Sequence, residues 1–259
     1  MEDGSPPDDR YGGGMTVDQD EDLDGLQLAG RAVAEARDAM LAAAAPGVST
    51  AELDAVGREV LDRHGARPAP PTVGFPAATC VSLTGEAAHG IPSTERFLAD
   101  GDLLNVDVSA ELHGYWADTG ASAAVGQVPL VARQLLDATR LANRDALAAA
   151  RAGEPLRHIG RAVERRARRH GFSVIENLNG HGTGRDLWEP PSVPGWEDSR
   201  DRTKLWEGLV LAIEPFLSNG ATWADEADDG WTLVTPGRLS AQFEHTVVVT
   251  KGRPLVLTA

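Results

Sequence analysis

Carboxylates sit in this sequence where strand-like apolar runs would lead one to expect apolar residues. Asp107 follows Leu103-Leu104-Asn105-Val106, and Glu214 follows Leu209-Val210-Leu211-Ala212-Ile213. Glu244 lies inside Gln242-Phe243-Glu244-His245-Thr246-Val247-Val248-Val249, and Asp118 inside Tyr115-Trp116-Ala117-Asp118-Thr119-Gly120. An ionised carboxylate beside a buried strand is very costly unless it is paired or ligates a metal. Four such groups repel one another, and two divalent cations would balance their charge. The run Gly180-His181-Gly182-Thr183-Gly184 adds an imidazole among glycines, where backbone can approach closely. An oxygen-rich site with one imidazole suits Mn, Fe(II), Co or Zn over a thiolate-loving ion. Two such ions can share a hydroxide, giving a nucleophile at neutral pH and a clamp for a tetrahedral intermediate. Each residue alone has a plainer reading: Asp118 in a turn, His181 as a structural histidine, Asp107 and Glu214 as caps or ion-pair partners. The set of five points to metal.

The elements that must position these residues follow from periodicity. Apolar residues at helical spacing (Leu26, Ala29, Val33, Ala36, Met40) predict a helix over 22–45, ended by Pro46-Gly47. Ser49 and Glu52 form a capping-box pattern for a second helix running to about His64. Strands are expected over 79–83, 103–112 and 115–125, then helices over 131–152 and 156–170, then strands over 172–175, 209–213, 231–234 and 242–250. The Gly-, Pro- and Trp-rich stretch 177–202 is expected to be loop. The chain also repeats itself. Val56-Gly57-Arg58 leads to His64-Gly65 as Ile159-Gly160-Arg161 leads to His170-Gly171. Gly101 precedes Asp107, and Gly208 precedes Glu214, across an apolar strand in both copies. Two pseudo-symmetric halves are the expectation.

Residues 1–20, with Pro6-Pro7, Gly12-Gly13-Gly14 and scattered acids, are expected to form a disordered acidic tail, leaving 21–259 as one domain. Translation could start at Met1 or Met15. A chain of 259 residues is ample for a buried core. A single cysteine, Cys80, excludes a disulfide framework and a Cys-based zinc site. The apolar runs fall short of the roughly 20 residues of a membrane span, and no secretory signal opens the chain. A net charge of -15 argues against nucleic acid as a direct partner. The expectation is an acidic, soluble, cytoplasmic protein.

Several motifs carry a resemblance to a family: Gly74-Phe75-Pro76, His89-Gly90-Ile91-Pro92, Asp100-Gly101-Asp102, Gly180-His181-Gly182, Ile213-Glu214-Pro215 and Ser240-Ala241-Gln242-Phe243-Glu244-His245-Thr246. In that order and spacing, over about 26–257, the chain resembles the short bacterial methionine aminopeptidases among the pita-bread peptidases. The resemblance implies an α+β pita-bread fold: a pseudo-two-fold repeat of helix-strand units around a curved antiparallel sheet. It implies two divalent ions (Co, Mn, Fe or Zn) held by Asp107, Asp118, His181, Glu214 and Glu244, with Asp118 and Glu244 bridging, Asp107 holding one ion and His181 with Glu214 the other. Glu214 would be general base, and His89 would contact the scissile amide. Phe75, Cys80, His89, Trp188 and Trp231 would bind substrate, with Thr72 and Leu187 also in the pocket. The implied activity is removal of N-terminal methionine from peptides or nascent chains by a monomeric enzyme.

The sequence departs from the pattern at Trp188, where the family carries a second histidine ahead of a glutamate, here Glu189. Indole donates one hydrogen bond and cannot carry a proton. Two alternatives to a methionine aminopeptidase stay open: a divergent paralogue acting on another peptide, and a weakly active or inactive binder of peptide N-termini.

Overall fold

Two helix pairs, each laid against its own strands, hold the acids between them. The computed structural model describes residues 14–259. Helix α1 (Asp20–Ala43) is followed by α2 (Thr50–His64). The expected capping box is present: Ser49 Oγ accepts the Glu52 N–H at 3.2 Å, and the Glu52 carboxylate accepts the Ser49 N–H at 2.8 Å. Then come β1 (Arg67–Pro68), a 3-10 turn (Pro70–Val73), β2 (Cys80–Ser82), β3 (Glu86–Ala88), and a long hairpin of β4 (Leu103–Leu112) and β5 (Tyr115–Ala124). The sheet order is β1-β4-β2, with β5 paired to β4. Leu104, Val106, Val108 and Ala110 of β4 pack in one core with Val33, Ala36 and Met40 of α1. Strand alternation therefore turns Asn105, Asp107 and Ser109 to the opposite face.

The second half repeats the order of helix pair, then strands. Helices α3 (Leu130–Ala149) and α4 (Arg157–His170) are followed by β6 (Ser173–Val174), β7 (Asn179–Gly182), β8 (Glu189–Pro194), β9 (Val210–Ile213), β10 (Phe216–Ser218), β11 (Asp225–Glu226), β12 (Leu233–Val234), β13 (Ser240–Gln242), β14 (His245–Val248) and β15 (Leu255–Val256). Leu135, Ala142, Ile159 and Val163 of the helices share a core with Leu211, Ile213 and Val247. These strands form sheets ordered β15-β14-β9-β7-β8, β13-β10-β6 and β11-β12-β3. The expected single curved sheet is thus divided, by hydrogen bonding, into several antiparallel ones. Helices α2 and α4 both end in His-Gly with the glycine left-handed, at φ 70° for Gly65 and 75° for Gly171, a conformation that glycine adopts without strain.

Three expectations are corrected. The stretch 177–202 is not all loop, since it contains β7 and β8. Glycine and proline hide both strands from a propensity reading. A Cβ at Gly180 would stand 2.3 Å from the Ala212 carbonyl oxygen of β9, and one at Gly182 2.2 Å from that of Pro190. Prolines 190, 191 and 194 are tolerated because β8 is an edge strand. The expected strand 242–250 breaks at Phe243-Glu244, between β13 and β14. The expected tail over 1–20 lies outside the described residues for 1–13, but the segment from Met15 onward is packed. Val17 N–H donates to the Gly208 carbonyl (2.8 Å), Val210 N–H donates to the Met15 carbonyl (3.1 Å), and the Met15 side chain is buried with Leu26, Val210 and Leu257. Backbone groups of residues 208–210, at the start of β9 beyond the end of β7, and an apolar slot give this segment partners that its sequence does not advertise.

The close approach of β7 to β9 can be tested. Gly180→Ala should lower the unfolding free energy in urea by about 1–3 kcal/mol through overpacking. Unchanged stability would contradict this register.

Candidate metal centre and pocket

Five expected ligands arrive from separate elements at one place. Asp107 lies in β4 opposite Cys80 of β2 and Gly120 of β5. Asp118 lies in β5, where its backbone N–H donates to Thr246 Oγ1 of β14 at 2.9 Å and its carbonyl accepts from the same hydroxyl at 2.7 Å. Glu244 sits at the break between β13 and β14, with its N–H donating to the Gly120 carbonyl at 2.8 Å. Glu214 directly follows β9, whose Ile213 pairs with His245, so Glu214 and Glu244 are brought side by side. His181 of β7 is opposite Ala212 of β9. The two halves of the chain therefore contribute to one cluster.

The geometry is that of a ligand set. Atoms of Asp118, His181 and Glu244 lie within 4.8 Å of one another, as do atoms of Asp107, Glu214 and Glu244, with Glu244 common to both groups. His181 Nε2 stands 3.7 Å from Asp118 Oδ2 and 3.6 Å from Glu214 Oε1. His181 Nδ1 is 2.8 Å from the Gly182 carbonyl oxygen. That contact requires Nδ1–H to donate and leaves the Nε2 lone pair facing the acids, the tautomer a metal ligand needs. Among the described residues, Asp118 Oδ1 and Glu244 Oε1 are buried carboxylate oxygens with no hydrogen-bond partner. Unpartnered buried carboxylate oxygens are expensive, and a cation between the two groups would satisfy both. The residues fit divalent ions.

The electrostatics follow from crowding. Burial pushes the Asp118, Glu214 and Glu244 carboxyls well above the usual carboxylate range, and the neighbouring acids push them further. Burial raises Asp107 as well, opposed by His89. Burial holds His181 and His89 below the ordinary histidine value.

A pocket of about 510 Å³, its open mouth included, adjoins the cluster and contains Asp107, Asp118, His181 and Glu214 in its wall. Phe75, Cys80, His89, Leu187, Trp188 and Trp231, expected on the substrate side, line it. Phe75 and Trp231 meet edge to face with ring centroids 5.3 Å apart. Burial and the nearby acids push the Cys80 thiol well up, so it stays a neutral wall. His89 adopts φ 54°, a left-handed backbone rare for a non-glycine residue, at the end of β3. Trp188 stands at the mouth, 53% exposed. One expectation is corrected: Thr72 does not line the pocket. Its hydroxyl turns back to the Ala69 carbonyl (2.7 Å), closing the 3-10 turn, and Val73 and Pro70 line the wall instead. Sequence reasoning also passed over Ser109 and Gln242. Ser109 lines the pocket, and Gln242 touches three of the acids. Each stands two residues from an expected ligand, Ser109 from Asp107 and Gln242 from Glu244. A period-2 reading would have flagged both.

The comparisons with known proteins agree with this geometry. The model of metallopeptidase family M24 matches residues 24–251. The chain belongs to family M24. Among its relatives, methionine aminopeptidase 2 of Bacillus subtilis is 45% identical, over 94% of this chain and 99% of that protein. The methionine aminopeptidase of Aquifex aeolicus is 36% identical over 92% and 96%. A crystal structure of methionine aminopeptidase from Thermotoga maritima superposes with a TM-score of 0.91 at 31% identity, covering 94% of this chain and 99% of that one. The prolidase from Pyrococcus furiosus, at 20% identity, shares the fold with a TM-score of 0.75. The fold is therefore the pita-bread fold of family M24.

The pH dependence of metal binding follows from the acids. Their folded-state pKa values lie above the unfolded ones, so the metal-free native state holds extra protons. Its stability from these groups grows as pH falls through the raised values and is lost as pH rises through them. His181 and His89 act in the opposite sense, losing stability as pH falls through their depressed values. Divalent ions need the ligands deprotonated. The rise in Tm on adding Mn²⁺ should therefore increase from about pH 6 to about pH 8. A shift that shrinks over that range would contradict the assignment.

Proposed function

We propose that this M24 chain is a metal-dependent aminopeptidase that removes N-terminal methionine from peptides or nascent chains. The observation that carries the reading is the pair of overlapping acid groups that share Glu244 and leave Asp118 Oδ1 and Glu244 Oε1 unpartnered. Asp107, Asp118, His181, Glu214 and Glu244 would hold two divalent ions, drawn from Co, Mn, Fe and Zn. Ions bound there supply a water acidic enough to lose its proton near neutral pH and positive charge beside a reacting carbonyl.

The chain's own groups do the rest. Glu214, which stands in the pocket wall beside the ligand cluster, takes the proton of the attacking water and returns it to the leaving amine. His89, fixed by its left-handed backbone on the pocket wall, donates to the scissile amide. Phe75, Cys80 and Trp231 present apolar and polarizable surface to a methionine side chain, whose thioether packs well against aromatic rings. Trp188 offers the departing chain a single N–H donor. The reading takes 21–259, together with the packed Met15 segment, as one domain of two related halves. The matched helix pairs and their His-Gly ends support that. It also takes the enzyme as a cytoplasmic monomer; among the described residues no helix is long and apolar enough to cross a membrane.

Trp188 favours a second reading, because the residue that the resembling family uses there is a proton-carrying histidine. A divergent or weakly active paralogue would lose an oxyanion-type donor worth about a hundredfold in rate.

The test is metal-supplemented hydrolysis of Met-Ala and Met-Gly peptides beside a non-Met panel. Methionine release with Co²⁺ or Mn²⁺, abolished in Asp107→Asn, is expected. Release that appears only in Trp188→His would favour the second reading, and no release in either protein under any metal would overturn both.

A further inference from the structure

Strands β9 and β10 run against β14 and β13 in one continuous register. Ile213 pairs with His245, and Phe216 with Gln242. That register sets Glu214 opposite Glu244 and Pro215 opposite Phe243. The ladder stops for those two positions and resumes beyond them. The break has two physical causes. Like charges directly across a strand pair repel, and Pro215 has no N–H to offer the Phe243 carbonyl. Two ligands in a broken ladder need something else to set their spacing.

Asn143 of α3 reaches into this break. Its side chain is buried. Its Nδ2 donates to the Ile213 carbonyl at 2.8 Å and to the Phe243 carbonyl at 2.8 Å. Both partners are acceptors, so only the N–H₂ group can face them, and its two hydrogens meet two oxygens. These are the carbonyls immediately before Glu214 and Glu244. One turn earlier on the same helix, the Arg140 guanidinium lies over the Phe243 ring, 4.7 Å from its centroid. Glu244 has further backbone tethers. Its N–H donates to the Gly120 carbonyl at 2.8 Å, and its own carbonyl accepts from the Thr119 hydroxyl at 2.9 Å. Asn143 ties the Glu214 segment to that fixed point where the ladder does not.

We propose that Asn143 is a positioning residue for the metal centre. It is a donor on α3 that replaces missing ladder bonds and sets the spacing of Glu214 and Glu244 before any ion arrives. It grips backbone carbonyls and leaves the carboxylate lone pairs free for cations. Repulsion between the two acids would otherwise open the break and widen the site. Groups behind the ligands commonly tune metal affinity by orienting them. Here the orientation is imposed one peptide unit back from each ligand, by a helix that carries none of them.

The inference rests on the two-ion reading above, and its test separates the two. Metal-free full-length protein is titrated with Mn²⁺ by calorimetry, comparing wild type, Asn143→Ala, Asn143→Asp and Val163→Ala. Asn143→Asp keeps the shape and exchanges the donor for an acceptor, while Asn143→Ala removes the group. Both should weaken Mn²⁺ uptake about 10- to 100-fold. Val163→Ala thins the same core from α4. It should lower Tm and leave the affinity at the wild-type value. Wild-type affinity in either Asn143 variant that folds, or equal weakening in Val163→Ala, would overturn the proposal. If wild type took up no Mn²⁺, the two-ion reading would fail, and the metal-free crystal structure of Asn143→Ala would still decide this one. Glu214 and Glu244 should then part beyond the 4.8 Å within which their ligand atoms now lie. Finding them in place would overturn the positioning role.

Discussion

Repulsion among buried carboxylates is the constraint on which this structure turns. Asp107, Asp118, Glu214 and Glu244 crowd a space a few ångströms across, with one imidazole and one amide for company. Left to themselves they lower their charge by holding protons. Divalent cations resolve the conflict differently, keeping the acids ionised and converting their repulsion into coordination. Like charges forced together by packing imply a counter-charge in the working molecule.

The rest of the architecture supplies that force. Each acid belongs to, directly follows or directly precedes a strand that packs in one of two helix-backed cores. Moving Asp107 away from Glu214 would mean lifting β4 off α1, or β9 off α3 and α4, and uncovering leucine, valine and alanine packing. The two Thr246–Asp118 bonds and the Glu244–Gly120 bond stitch the halves together beside the cluster. The site is thus held by the burial of both cores, and the pocket opens on its flank.

Much of this was legible in the sequence because a carboxylate in a strand is conspicuous. The hairpin 103–124 and the helices were readable from period, the four acids from the conflict between their charge and their surroundings, and His181 from its place among glycines. What stayed hidden has physical reasons. Strands β7 and β8 are made of glycine and proline, chosen for close approach and an edge position rather than for strand propensity. The resemblance puts Thr72 in the pocket, but its hydroxyl closes the 3-10 turn onto the Ala69 carbonyl and Val73 lines the wall instead. Gln242 went unnoticed because a neutral amide in a strand raises no alarm until its neighbours are known. The Met15 segment has too few apolar residues to signal order, and its backbone partners Gly208 and Val210 lie nearly 200 residues away.

The most direct measurement of the central claim is anomalous diffraction at the manganese edge from crystals of the full chain grown with Mn²⁺. The account predicts two peaks flanking the Asp118 and Glu244 carboxylates, one on the Asp107 side and one on the side of His181 and Glu214. An anomalous map with no density at the cluster, in crystals soaked to saturation at neutral pH, would contradict it.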